Sequence, residues 1–272
     1  MTQIAFIGGG NMATSIIGGL IKQGESKPDM IHVSDPNADQ VQQLSEQFGI
    51  HGHSDNQQAI ASADVVIMAV KPQVMKAVLA PLKDTLSQRQ PMLLSIAAGI
   101  SLTSLQSWSG CEAIVRCMPN TPSLLGLGAS GLFATDKVSI DQRNIADALL
   151  RAVGISVWVQ NEAELDAVTA VSGSGPAYYF LLMEAMIEAG KKLGLSEETA
   201  TQLTQQTALG AGKMAMEADV SAAELRRRVT SPGGTTERAI QTFEAAHLRD
   251  IVEAALTAAS DRAAELSKQL GD

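Results

Sequence analysis

The sequence predicts an α/β fold: a mostly parallel sheet covered by helices, followed by an all-helical second part. Three observations carry this. Short apolar runs alternate with helical patterns up to about residue 160, such runs then stop, and the first of them ends in the glycine cluster Gly8-Gly9-Gly10. Continuous apolar strands separated by helices are what a sheet buried on both faces requires.

Ile4–Ile7 is the first strand, and Asn11–Gln23 the first helix, with Met12, Ile16, Ile17 and Leu20 at helical spacing. Residues 30–34 form a second strand, and Asp35-Pro36-Asn37 opens a helix over Ala38–Phe48. Strands are expected at 64–70 (DVVIMAV), 91–97, 113–118, 129–133 and 156–159. Helices then follow at 162–171, 177–193, 197–218, 222–229, 237–243 and 247–270, with Ser196-Glu197-Glu198 as a start signal. The expected domains are 1–160 and 161–272. Gly210, Ala211 and Gly212, and the cluster Ala254, Ala255, Ala258 and Ala259, suit close helix packing or an interface between subunits. They equally suit plain helix propensity.

Composition excludes several functions. The net charge of −9 leaves no basic surplus to neutralise phosphates, and 3% aromatic residues supply few stacking platforms, so a nucleic-acid binder is not expected. Cys111 and Cys117 cannot build a disulfide framework or a zinc site. No metal is expected; His32, His51, His53 and His247 are scattered, and no third ligand accompanies the close pair. Without a basic leader or an apolar run of about 20 residues, the chain reads as soluble and cytoplasmic.

Gly8-Gly9-Gly10-Asn11-Met12-Ala13 follows a strand and opens a helix in a G-x-G-x-x-A pattern. Gly8 permits the tight turn, Gly10 lets the backbone approach a pyrophosphate, and Ala13 keeps helix and sheet close. The helix N-terminus then offers N–H groups to the phosphates. This is a Rossmann-like turn. Asp35, just beyond the second strand, suits a ribose 2′-hydroxyl and hence NAD; it equally suits a helix cap. Ala69-Val70-Lys71-Pro72 and Ser95-Ile96-Ala97-Ala98-Gly99 end two further strands, where doubly wound folds place ligands. Two later loops, SGSGPAY at 172–178 and SPGGTT at 231–236, each put glycines and hydroxyls just before a helix. Each can cradle a carboxylate or simply link helices.

Together with RCMPNTP at 116–122, these blocks make the chain resemble the pyrroline-5-carboxylate reductases almost end to end. That resemblance implies a Rossmann domain, an all-α C-terminal dimerisation domain, assembly into homo-oligomers, and reduction of 1-pyrroline-5-carboxylate to L-proline by NADPH, with NADH possible. It places the cofactor against Gly8, Gly9, Gly10, Asn11, Met12, Ala13, Ser34, Asn56, Ala69, Val70, Lys71, Pro72, Ile96, Ala97 and Ala98. Ser34 and Asn56 resemble positions that hold a 2′-phosphate, against the NAD reading of Asp35. The substrate falls to Glu162, Ser231, Pro232, Gly233, Gly234, Thr235 and Thr236, with Thr236 beside the ring nitrogen as the catalytic candidate. Arg228 stands where the family usually has a small polar residue; it is either a solvated helix-face charge or an added cation for a bound anion. A β-hydroxyacid dehydrogenase is the nearest rival. Phe180, Leu181, Leu182 and Met183 stand where its Lys and Asn would be expected.

Overall fold

The computed structural model describes residues 2–271. Its strands are β1 (Ile4–Ile7), β2 (Ile31–Ser34), β3 (His51–His53), β4 (Val65–Met68), β5 (Met92–Ser95), β6 (Ile114–Met118), β7 (Gly128–Ala134) and β8 (Gly154–Trp158). They form one sheet in the order β3-β2-β1-β4-β5-β6-β7-β8, parallel except where β7 meets β6. The connection 119–127 is too short for a crossover helix, so β7 has to return antiparallel.

The helices over the sheet are α1 (Asn11–Gln23), α2 (Ala38–Phe48), α3 (Asn56–Ile60), α4 (Met75–Leu79), α5 (Lys83–Arg89), α6 (Leu102–Ser109) and α7 (Ile140–Arg151). Strand alternation sends Ile4 and Phe6 into a core with Ile16, Ile17 and Leu20 of α1. It sends Ala5 and Ile7 into a second core with Met75, Leu79 and Leu86. Each face of the sheet therefore has its own apolar layer.

Beyond the sheet come α8 (Glu164–Val168), a π-helical turn over Thr169–Gly173, α9 (Gly175–Lys192), α10 (Glu197–Glu217), α11 (Ala222–Arg228), α12 (Thr235–Ala245) and α13 (Leu248–Gly271). Ser196 caps α10 by accepting from the Thr199 N–H. The chain divides into two compact units. One holds the residues up to Ser174 together with those from Ala258 onward; the other is Gly175–Thr257.

Three readings change. SGSGPAY is not an open loop: Ser172 and Gly173 belong to the π-turn, closed by the Ser174 N–H on the Thr169 carbonyl at 2.8 Å, and α9 starts at Gly175. Pro176 fits as the second residue of α9, where a missing N–H costs nothing. The helix expected at 237–243 begins earlier, so Thr235 and Thr236 are its first turn. The short edge strand β3 was not read from the sequence, and it gathers histidines that looked scattered. His51 and His53 stack on His32 with ring centroids 5.0 and 5.1 Å apart, and His32 Nδ1 lies 2.9 Å from His53 Nε2. Burial, then repulsion from neighbouring imidazoles, holds His32 and His53 below the usual 6.5. Among the described residues, no group of three or more His, Cys, Asp or Glu is placed to hold a metal ion.

Candidate functional site

Every residue expected at the cofactor follows the C-terminal end of a parallel strand. Gly8–Ala13 follow β1, Ser34 ends β2, Asn56 follows β3, Ala69–Pro72 follow β4, and Ile96–Ala98 follow β5. Those strands are neighbours in the sheet, so the segments share one edge. The Ala69 N–H donates to the Ile7 carbonyl at 2.8 Å, and the Ile96 N–H to Met68 at 3.2 Å, which joins the loops in series.

The glycine turn has the geometry its pattern asks for. Gly8 lies at φ +101°, and a Cβ there would stand 2.5 Å from the Ala69 carbonyl oxygen. No other residue fits without strain. Around Gly10 nothing lies within 4 Å of a built Cβ, so a ligand can come close to the backbone. Ala13 is fully buried against the sheet. The first turn of α1 has neither a side-chain cap nor an acidic residue. Its orphan N–H groups are thus left for an anion, and these residues fit a dinucleotide pyrophosphate.

Asp35 is neither the cap nor a loose acceptor. Asn37 caps α2, accepting from the Asp39 and Gln40 N–H groups. Asp35 instead accepts from the Gly9 N–H through Oδ2 at 2.8 Å and from the Asn37 N–H through Oδ1 at 2.9 Å. Sequence reasoning missed this contact because it spans strands, and nothing in the sequence marks Gln40, whose Nε2 donates to the Gly9 carbonyl at 2.7 Å.

In the second unit, residues 229–234 join α11 to α12, which Thr235 and Thr236 open. Gly233 takes φ +73°, and the Gly234 N–H bonds the Ser231 carbonyl at 3.0 Å. Gly234 caps α12 without a side chain, and the first N–H used inside the helix is that of Arg238, on the Gly234 carbonyl. The N–H groups of Thr235, Thr236 and Glu237 therefore point out of the helix start, a carboxylate-sized cradle. Two neighbouring donors are taken: the Gly234 N–H by the Ser231 carbonyl, and the Gly233 N–H by Glu237 Oε2 at 2.8 Å. Thr236 is exposed. Arg228 is tied to Glu224 on its own helix at 2.9 Å, and Glu224 also holds Arg227. That is the solvated helix-face arrangement.

Glu162 lies in the first unit. Its Oε1 accepts from Arg116 Nη1 and from the Leu102 N–H, each at 2.8 Å. Arg116 is almost fully buried on β6, and its Nη2 reaches Ser267 of α13 at 3.4 Å and Asp166 of α8 at 4.0 Å. A cavity of about 520 Å³ opens beside this network, with Ser101 and Lys268 on its walls. Asp166 Oδ1 is buried without a hydrogen-bond partner, and desolvation outweighs the pull of Arg116, raising its carboxyl pKa. Elsewhere in this unit RCMPNTP meets the first residues of SGSGPAY. Asn120 Nδ2 donates to the Ser172 carbonyl at 3.0 Å, and a Cβ on Gly173 would strike Met118 Cε at 2.5 Å. Gly173 is thus a packing glycine. Both cysteines are free and buried, and burial pushes the Cys117 thiol up to about 12, so neither is a nucleophile.

A doubly wound sheet with a glycine turn, joined to a helical unit, defines a dinucleotide-dependent oxidoreductase, and comparison with known proteins agrees. Residues 3–99 match the family described as NADP oxidoreductase, coenzyme F420-dependent, and residues 162–266 match pyrroline-5-carboxylate reductase dimerisation. The chain is 57% identical over 270 residues to a pyrroline-5-carboxylate reductase of Pseudomonas aeruginosa, covering 99% of this chain and 98% of that one. It is 38% identical to one from Arabidopsis thaliana, covering 98% and 96%. Among solved structures, a pyrroline-5-carboxylate reductase of Coxiella burnetii superposes with TM-score 0.94 at 48% identity, covering 98% of each chain. The Plasmodium falciparum pyrroline carboxylate reductase with NADP bound superposes at 0.84, with 28% identity and 98% of each chain covered. The chain belongs to the pyrroline-5-carboxylate reductase family.

Proposed function

We propose that this protein reduces 1-pyrroline-5-carboxylate to L-proline with NAD(P)H, as the last step of proline biosynthesis. The observation that carries the reading is the 57% identity that runs along 99% of the chain to a pyrroline-5-carboxylate reductase. The segments after β1 to β5 would hold the dinucleotide, with Ser34 and Asn56 toward the 2′-phosphate. Bound there, the nicotinamide supplies a hydride.

The protein's own share is positioning. A protonated cyclic imine is already an electrophile: its imine carbon, C5 of the proline formed, gains the hydride, the C=N π pair returns to nitrogen, and a secondary amine results. No protein base is needed, which suits a site built from glycines and hydroxyls. The α12 start would take the substrate carboxylate, and the Thr236 hydroxyl would bond the ring nitrogen as it becomes an amine. Glu162 would border the substrate through its second oxygen. Residues 1–160 would serve the dinucleotide, and 161–272 the substrate and self-association.

Self-association as a dimer or larger homo-oligomer is supported by the exposed apolar side chains of the helical unit, Tyr179, Phe180, Leu181 and Leu209 among them. A cytoplasmic location fits a biosynthetic enzyme; among the described residues no helix is long and apolar enough to cross a membrane. Loss of reduced-cofactor absorbance on adding pyrroline-5-carboxylate, run in parallel with NADPH and NADH, tests the reaction. Turnover with neither overturns it. Thr236→Ala is expected to lower kcat/KM well beyond twofold, about 0.4 kcal/mol; a smaller loss removes Thr236 from the chemistry.

A further inference from the structure

Gly9 is buried, so both its backbone polar groups need partners. Within β1 and α1, Thr14 Oγ1 reaches the Gly9 carbonyl at a long 3.4 Å, and the shorter bonds come from elsewhere. The N–H donates to Asp35 Oδ2 at 2.8 Å, and the carbonyl accepts from Gln40 Nε2 at 2.7 Å. The other carboxylate oxygen is held by the Asn37 N–H at 2.9 Å, which fixes Asp35 against its own loop. Next to these, the Gly8 N–H bonds the Ser34 carbonyl at 2.8 Å. Two side chains from the β2–α2 segment thus grip the Gly9 backbone from both sides, through the N–H of one peptide unit and the carbonyl of the next. Gly10 and the unpartnered N–H groups of α1 follow directly.

We propose that Asp35 and Gln40 are positioning residues that clamp the Gly9 backbone and so aim the α1 N-terminus at the cofactor pyrophosphate. Asp35 does not act as a ribose hydroxyl acceptor that selects NADH. The inference rests on the dinucleotide reading above. Its physical basis is that a charged acceptor at 2.8 Å on a buried N–H is a strong bond, while the same N–H left bare carries its full desolvation cost. A clamp on the pyrophosphate turn serves both nicotinamides alike, because they differ only at the ribose. A ribose acceptor serves NADH alone.

The test is direct binding to the full-length protein without substrate, by nicotinamide fluorescence titration with NADPH and with NADH. Asp35→Ala is expected to raise both dissociation constants by the same factor, about tenfold or more for a lost charged hydrogen bond. Gln40→Ala is expected to raise both equally by about threefold to tenfold, although its side chain grips a carbonyl in the turn. Amide exchange over residues 9–12, without ligand, is expected to quicken in both variants. If Asp35→Ala weakens NADH alone, Asp35 is a ribose acceptor and the clamp is overturned. If NADPH instead binds more tightly, its charge acts against the 2′-phosphate and the clamp is again overturned. Unchanged affinities in Gln40→Ala overturn it as well, which keeps the idea testable if Asp35→Ala fails to fold. Failure of the parent protein to bind either nicotinamide would instead overturn the dinucleotide reading.

Discussion

The two units solve burial in opposite ways. In the sheet unit, strands such as Val65–Met68 and Met92–Ser95 are buried at every position. In Gly175–Thr257, Ala200 is the one buried hydrophobic residue among the described residues, while Leu181, Leu209 and Met216 are at least 60% exposed. No atom lies within 4 Å of a built Cβ on Gly210 or Gly212. The first unit buries its central strands itself, although Leu125, Leu127 and Ile140 stay exposed on it. The second displays a surface that, on our reading, another copy of the chain covers.

Breaking the exposed side of this contrast should have the largest effect. Leu209→Asp is expected to cost the isolated chain little, within about 0.5 kcal/mol for a surface position. It should nevertheless convert the assembly to monomers in sedimentation velocity and abolish turnover. An unchanged mass would mean that this face of α10 is not covered.

Ion pairs sharpen the comparison next. Arg116→Met leaves Glu162 without its buried partner and is expected to cost about 3–5 kcal/mol in denaturant unfolding. Arg226→Met removes a pair to Glu244 at 3.7 Å from a half-exposed side chain of the helical unit, where solvent screening leaves little to lose. Equal losses would refute the distinction.

The smallest effect is a pH dependence. Asp166 has its folded pKa raised above the ordinary 3.8, so the stability tied to it is present in acid and lost as pH rises through the folded value. Asp166→Asn is therefore expected to be more stable than the parent at pH 7 and equal to it in acid, below the ordinary carboxyl range. A melting curve at each pH decides it.

What could be read from the chain follows the range of the interactions. The Gly8–Ala13 turn was legible because its demands are local: a positive φ at Gly8, room at Gly10, close packing at Ala13. So were α1 and α2, whose apolar spacing sets their extent, with Gly10 before α1 and Asn37 before α2 marking where they start. SGSGPAY misled because glycine has two uses. Gly173 is required by Met118, on a strand far away in sequence, and not by a flexible loop. β3 escaped because a short His-Gly-His edge strand has no apolar run. The grips on Gly9 and the Arg116 network were invisible because each depends on elements brought together only by the fold. The separations expected in sequence for Thr236 and Glu162 likewise say nothing about which hydrogen bonds those side chains have already made.

The path of α13 has a further consequence. Its final turns press on the sheet unit: a Cβ on Gly99 would sit 3.1 Å from Leu270 Cδ1, Ser267 meets Arg116, and the Gly271 carbonyl faces Ser104 Oγ at 3.4 Å. The ribosome makes these residues only after all of Gly175–Thr257. A nascent chain can therefore pair its eight strands early, yet it must hold the loop after β5 and the Arg116 pocket uncovered until synthesis nears residue 271. Order of manufacture thus makes the loop after β5 and the Arg116 pocket the last parts of the sheet unit to set.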